Sequence, residues 1–137
     1  MVLGLPVSVI LLDSIAAAAA LVYAPFLVVA LARLQLGYDQ AAPRAMFDRL
    51  PAYAQRATWA HQNSFETFML FSAAALMAFV TAVDSEAAGW AGIAFPIARL
   101  LFSVFYILNI PLGRSLMFAI SSSCTFSLFY FSLMAIN

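Results

Sequence analysis

Long apolar stretches alternate with short polar ones along this chain, and the pattern predicts four membrane-spanning helices. A helix needs about 20 mostly apolar residues to cross a hydrocarbon layer about 30 Å thick. Stretches of this kind cover residues 7–34, 55–83, 90–108 and 114–135. We therefore expect an all-α membrane protein in which residues 1–137 form one domain, a four-transmembrane-helix bundle.

The connectors between the spans differ in length and character. Residues 35–54 are polar, contain glycine and proline, and carry charges of both signs. Such residues favour turns over regular helix, so we expect a loop here with one short turn at the membrane surface. The connectors at residues 84–89 and 109–113 are short, which predicts that the spans they join are antiparallel neighbours.

The composition agrees with a membrane protein and argues against several other classes. Hydrophobic residues make up 66% of the chain and charged residues 9%, and the mean hydropathy is +1.00. The formal net charge is zero and no basic patch with interleaved aromatic residues is present, so we expect no nucleic-acid partner. One cysteine and one histidine predict neither an internal disulfide nor a metal site, which needs several such ligands.

The arginines are distributed unevenly between the two sides of the predicted bundle. Five of the six cations lie at span ends or in the loop on one side: Arg33, Arg44, Arg49, Arg56 and Arg114. The opposite connector carries Asp84 and Glu86 and no cation. The positive-inside rule therefore predicts a cytoplasmic long loop and 109–113 turn, with both termini outside. On this interpretation the first three of these arginines act only as orientation signals.

A polar cluster opens the second span, where residues 56–66 read RATWAHQNSFE. Ionisable side chains are expensive inside a membrane and usually mark a functional site. Glu66 lies about 16 Å from Gln55, and Arg99 lies about 15 Å from Asn109, at 1.5 Å per residue. Since both distances start from the same membrane face, an acid and a base reach similar depths in antiparallel helices. We infer a Glu66–Arg99 ion pair, in which each charge offsets the desolvation of the other.

The remaining polar residues extend this pair into a column. Helical spacing puts three polar residues of span two on one face, Arg56, Asn63 and Glu66, whereas His61 points to the opposite side. On span three Arg99 and Tyr106 share a face, and Arg114 lies beyond the following turn. Guanidinium, amide and phenol groups in one column suit a small anionic, peptide-like ligand that enters from the cytoplasm.

Each of these residues also has a purely structural interpretation. The ion pair can fix the register of two helices, and Asn63 can form an interhelical hydrogen bond. A lone His61 is often a packed imidazole, and Tyr106 near a membrane face is often an interfacial aromatic. Only their occurrence together favours a ligand site.

Two segments of the chain resemble motifs of a known family. WAHQNSFE, residues 59–66, resembles the second-helix motif of the MAPEG family, the membrane-associated proteins in eicosanoid and glutathione metabolism. ARLLFSVFYILNIPLGR, residues 98–114, resembles the third-helix motif, in which Arg is followed seven residues later by Tyr and a second Arg follows a short turn. The chain looks most similar to small bacterial members that resemble microsomal glutathione transferases.

This resemblance implies a homotrimer in the bacterial inner membrane, with glutathione as co-substrate held between neighbouring subunits near the cytoplasmic side. The other expected partners are membrane lipid and a small lipophilic electrophile, with no metal. The positions that match the family's glutathione site are His61, Asn63, Glu66, Arg99 and Tyr106, with Arg56 as a further binding residue. Arg114 matches the catalytic Arg that sits beside the sulfur and favours its thiolate. The implied function is glutathione transferase or peroxidase chemistry.

One departure from the family pattern keeps other functions open. Trp59 stands where the second-helix motif has Arg, while Arg56 lies one turn earlier. Trp cannot bind a carboxylate with paired hydrogen bonds as Arg does. This difference favours a non-catalytic MAPEG-like protein that binds a lipid or small thiol. A small proton-coupled exporter is a third possibility, with Asp13 as the acid that exchanges protons. Asp13 is expected near the outer surface rather than at mid-membrane, which argues against an exporter.

Overall fold

The computed structural model describes residues 1–137 and contains helices only, apart from one isolated bridge in the N-terminal turn. Its helices are α1 Val7–Gln35, a 3-10 helix Pro43–Arg49 that we call the loop helix, α2 Ala52–Val80, α3 Glu86–Ile107 and α4 Pro111–Ala135. The four α-helices are each long and apolar enough to span a membrane. The prediction of an all-α integral membrane protein with four spans is therefore confirmed.

The helices α2, α3 and α4 each begin three or four residues earlier than the hydrophobic pattern predicts. Their first turns are polar or rich in breakers, which an apolar pattern misses. Ser85 caps α3 by accepting a hydrogen bond from the backbone N–H of Ala88 at 3.2 Å, as N-cap serines do. Pro111 opens α4 at the position where its fixed φ suits a helix. Arg114 is consequently the fourth residue of α4 rather than its first.

The four spans pack as the corners of a square. Contacts join α1 to α2, α2 to α4, α4 to α3 and α3 to α1, and α2 also touches α3 across the diagonal. At the centre of the diagonal the rings of Phe71 and Phe95 stack at 3.7 Å, with small residues such as Ala74, Ala75 and Ala91 around them. Small side chains let the helices approach closely. The bundle thus has four outward edges, each formed by two helices.

The loop helix covers one end of the α1–α2 edge. We call this end of the bundle, where α1 and α3 end and α2 and α4 begin, the loop face. Met46 of the loop helix is buried, and Leu50 packs in a cluster with Val29 of α1 and Ala54 of α2. Gln55 Nε2 donates to the carbonyl of Leu50 at 3.2 Å. The long loop is therefore a packed cap rather than a loop with a single turn.

Candidate functional site

Arg99 is the most deeply buried cation of the bundle, with 4% of its surface exposed. Its Nη2 donates to Asn63 Oδ1 at 2.8 Å and to Ser64 Oγ at 3.3 Å, both on α2. Its guanidinium carbon lies 3.9 Å from the ring centroid of Phe102, while Nε and Nη1 make no hydrogen bond. The charge is thus held by an amide, a hydroxyl and an aromatic face.

The inferred Glu66–Arg99 ion pair is wrong as a contact within one chain, because Asn63 and Ser64 take the place of Glu66. The depth estimate is the reason. Since α2 begins at Ala52, Glu66 lies about 21 Å along α2, whereas Arg99 lies only about 12 Å from the end of α3. Asn63 is almost one turn closer to the loop face, about 16 Å along α2, and so lies nearer to the depth of Arg99 than Glu66 does.

Aromatic rings connect Arg99 to the start of α4. The ring of Tyr106 meets that of Phe102 edge-on, with centroids 5.5 Å apart. The guanidinium carbon of Arg114 lies 4.7 Å from the centroid of Tyr106. Two adjacent aromatic rings therefore connect the two cations toward the loop face, and the structure brings together the column of α3 and α4 residues that the sequence indicated.

Three residues of this column, Phe102, Tyr106 and Arg114, form one wall of an open cavity of about 240 Å³ on the α2–α4 edge. The α2–α4 cavity is lined by Asn63, Phe102, Tyr106, Arg114, Ser115 and Phe118. Because Asn63 Oδ1 accepts from Arg99, its Nδ2 is left as a donor for the cavity. No acid lies on the wall, so amide, phenol, hydroxyl and guanidinium donors favour an anionic group. The contributions of Ser115 and Phe118 were missed, although their spacing from Arg114 on one helix offered a signal.

A second, larger cavity of about 560 Å³ opens on the α1–α2 edge beneath the loop helix. The α1–α2 cavity is lined by His61, Gln62 and Glu66 of α2, Arg33 of α1, and Arg44 and Phe47 of the loop helix, among others. His61 Nδ1 lies 2.7 Å from the carbonyl of Val22 on α1, so this nitrogen donates, and in the neutral ring Nε2 is an acceptor.

The arginines of this cavity have a role that the sequence did not indicate. Arg33 is 9% exposed, and its buried Nε has no hydrogen-bond partner. Together with Arg44 it puts two guanidinium groups on the wall of the α1–α2 cavity. The interpretation of both as orientation signals only is therefore incomplete. The fold of the long loop brings Arg44 back over the edge, and no local spacing predicts that return.

Glu66 is exposed at the middle of α2, a helix about 43 Å long. Its carboxylate accepts no hydrogen bond from Arg99, whose bonds go to Asn63 and Ser64. A charged group at this depth is expensive against lipid. We therefore expect a polar surface, rather than lipid, to pack on the outer face of α2, which separates the two cavities.

Three residues of interest lie outside both cavities. Arg56 donates through Nε to the carbonyl of Ile107 at 3.0 Å, which ties α2 to the end of α3. Trp59 is exposed, and its ring lies 5.7 Å from that of Phe47. Asp13 lines an apolar groove on the distant α1–α3 edge.

The start of α4 packs tightly at Gly113, directly before Arg114. A Cβ atom on Gly113 would lie 2.8 Å from Cδ2 of Phe105. We expect Gly113→Ala to lower the stability by about 1–3 kcal/mol, as overpacking does, and to move Arg114 away from Tyr106. A thermal melt checks this, with the exposed Leu112→Ala as the control. A wild-type melting temperature for Gly113→Ala would contradict the close approach.

Comparison with known proteins gives one match. A family model described as MAPEG family matches residues 10–134, which include most of α1, all of α2 and α3, and nearly all of α4. Both cavities lie within the matched range. No curated protein and no solved structure gave a significant match.

Proposed function

Because the chain belongs to the MAPEG family of membrane proteins, we propose that it is a membrane-embedded, glutathione-dependent transferase or peroxidase. It activates the glutathione thiol against a lipophilic electrophile that reaches the site from the bilayer. The observation that carries the proposal is the α2–α4 cavity, where Asn63, Tyr106 and Arg114 present donors and no acid is present. Such a wall favours an anion, and a thiolate is the anion that this chemistry needs.

The two cavities lie on either side of α2, which supports a ring of identical subunits. In a homotrimer the α1–α2 edge of one copy meets the α2–α4 edge of the next, a head-to-tail contact that closes on itself. Such a contact covers Glu66 and joins the two cavities into one site between subunits. In the proposed orientation the loop face lies on the cytoplasmic side of a bacterial inner membrane, where glutathione has access.

The joined site matches the charges of a tripeptide with two carboxylates, one ammonium group and one thiol. Arg33 and Arg44 suit a carboxylate, since guanidinium groups bind carboxylates with two parallel hydrogen bonds. Glu66 suits the ammonium group, and the free amide hydrogens of Asn63 suit a backbone carbonyl or the second carboxylate. His61 offers an acceptor, while Arg56 supports the site by bridging α2 and α3. Arg99 acts through Asn63, whose amide orientation it fixes.

Thiol activation falls to Arg114. A free thiol has a pKa of about 8.5 and is mostly protonated at neutral pH, and a nearby guanidinium group favours the thiolate. Tyr106 holds Arg114 by a cation–π contact, and Ser115 supplies a hydroxyl donor beside it. The thiol proton leaves to water. The thiolate sulfur then forms a bond to an electrophilic carbon and expels the leaving group with its electron pair.

An activity assay tests this proposal directly. Purified protein in lipid nanodiscs is given glutathione with chlorodinitrobenzene, and in a second assay with an organic hydroperoxide. We expect conjugate or alcohol to form above the uncatalysed rate, with inhibition by S-methylglutathione. Intact protein that forms neither product and gains no heat stability from glutathione would overturn the proposal.

A substitution of Asn63 separates its role in the fold from its role in binding. Asn63→Asp keeps an acceptor for Arg99 but replaces the two amide hydrogens with a negative charge toward the ligand. We expect an unchanged or higher melting temperature and about 10–100-fold weaker glutathione binding, because a hydrogen-bond donor to the ligand is lost and a charge repulsion is added. Ser64→Ala is the control, since Ser64 also contacts Arg99 but is not on the cavity wall. Equal binding by the two variants would contradict the role of the amide.

Trp59 supports a second candidate, a non-catalytic family member that binds a lipid or small thiol without activating it. Its ring packs on Phe47 and adds no cation to either cavity. This candidate predicts that glutathione stabilises the protein against heat while neither assay gives product. An exporter role is not proposed, because Asp13 lies on the α1–α3 edge and lines neither of the two cavities.

A further inference from the structure

The loop helix is fixed over the α1–α2 cavity by its own packing. Met46 is buried, and Leu50 at the end of the loop helix is packed against Val29 and Ala32 of α1. In a 3-10 helix the side chains at positions i and i+3 lie above one another. Arg44 and Phe47 have this spacing, and both line the cavity.

The contact between Phe47 and Trp59 fixes this face of the loop helix against α2. The two ring centroids lie 5.7 Å apart, and Trp59 directly follows Thr58, which lies on the cavity wall. Arg44 stands one 3-10 turn before Phe47. The position of the Arg44 guanidinium over the cavity therefore depends on the aromatic pair behind it.

The charges of the cavity are separated along its depth. Arg33 and Arg44 lie near the loop face, and the buried Nε of Arg33 has no partner. The only acid on the wall, Glu66, lies about 12 Å deeper along α2 than Thr58. Two arginines on a wall whose one acid lies deeper favour an anionic group at the mouth of the cavity, and the planar fork of a guanidinium group fits a carboxylate.

We propose that the loop helix is a specificity element of the site, in which Arg44 and Arg33 together bind one carboxylate of the thiol substrate. Trp59 is a positioning residue that holds Arg44 through Phe47. This inference rests on the proposed function and deepens it, because it makes a free carboxylate on the thiol a requirement for tight binding. It also gives Trp59 a part in substrate recognition without a direct contact.

The test compares variants of the loop helix with ligands that lack one carboxylate. Dissociation constants are measured by calorimetry for glutathione, its glycyl monoethyl ester and cysteinylglycine, which lacks the γ-glutamyl group. Arg44→Gln is compared with Arg49→Gln, a matched control on the same helix that lies outside the cavity and reaches the carbonyl of Leu36. We expect Arg44→Gln to weaken glutathione binding by about 10–100-fold and Arg49→Gln to leave it unchanged.

The ligand series assigns the carboxylate. An effect of Arg44→Gln that disappears with the monoethyl ester identifies the glycyl carboxylate, and one that disappears only with cysteinylglycine identifies the γ-glutamyl carboxylate. An equal loss for all three ligands, or no loss for any, would overturn the inference. Wild-type protein that binds none of the ligands would instead overturn the proposed function, and this inference with it.

Variants of Trp59 test the positioning role. We expect Trp59→Ala to raise KM for glutathione as Arg44→Gln does, with little change in kcat and no further loss in the double variant. Trp59→Phe keeps a ring against Phe47 and should restore most of the affinity. Equal effects of Trp59→Ala on binding of glutathione and of the ligand that lacks the assigned carboxylate would contradict this role.

Discussion

Replacing Arg114 with glutamine is expected to lower the rate of glutathione conjugation at saturating glutathione by about a hundredfold or more. Glutamine keeps the length and a donor but loses the positive charge beside the sulfur. The cost falls on the thiolate and the transition state rather than on binding, since Arg33 and Arg44 lie in the other cavity. Steady-state kinetics should show a reduced kcat with a much smaller change in KM.

Two controls make this result specific. Arg114→Lys keeps the charge without the planar fork and should fall between wild type and Arg114→Gln. Arg56→Gln removes an arginine of the same end of the bundle that contacts the carbonyl of Ile107 and neither cavity. It should lower heat stability more than kcat. A wild-type kcat for Arg114→Gln would exclude this residue from the chemistry.

Replacing Glu66 with alanine is expected to break up the proposed trimer. The carboxylate is exposed at mid-span on the helix that separates the two cavities. In a head-to-tail ring the substitution removes one charge-assisted hydrogen bond, worth about 1.5–3 kcal/mol, from each subunit interface. All three interfaces of the ring are weakened at once. Native mass spectrometry over a dilution series should show dissociation at protein concentrations where the wild type stays trimeric.

Asp13→Ala is the matched control for this experiment. Asp13 is also an exposed acid within a predicted span, but it lies on the α1–α3 edge. It should leave the oligomeric state unchanged. If the outer face of α2 instead faced lipid, removal of Glu66 would stabilise the chain, because an unpaired charge would leave the hydrocarbon. A variant that stays trimeric and melts at a higher temperature would contradict the interface.

The sequence predicted the spans and the α3–α4 part of the polar column because both depend on local patterns. The prediction that Glu66 shares a face with Asn63 and lies opposite His61 is wrong, because Glu66 and His61 line the α1–α2 cavity and Asn63 lines the other cavity. Apolar stretches of span length and the spacing of Arg99, Tyr106 and Arg114 carry that information without knowledge of packing. The partner of Arg99 was missed because an error of three residues in the start of α2 shifts depth by about 4.5 Å. That shift exchanges Glu66 for Asn63, almost one turn away.

The α1–α2 cavity was not predictable in the same way. Its cations come from the end of α1 and from the loop helix, and they meet only because the long loop folds back over the edge. The buried sulfur of Met46 and the contact between Phe47 and Trp59 fix that return. Both depend on tertiary packing, to which a hydropathy pattern is blind. Trp59 stands where the family motif has Arg, and its contact with Phe47 of the loop helix gives it a packing role there.

The proposed function requires that this chain binds glutathione and holds it as a thiolate through Arg114. Ultraviolet difference absorbance in the thiolate band, recorded while purified protein is titrated with glutathione at neutral pH, measures that thiolate. We predict a saturable signal for the wild type that Arg114→Gln loses while calorimetry still detects bound glutathione. Wild-type protein that binds glutathione without a thiolate signal, or a full signal in Arg114→Gln, would contradict thiol activation by Arg114.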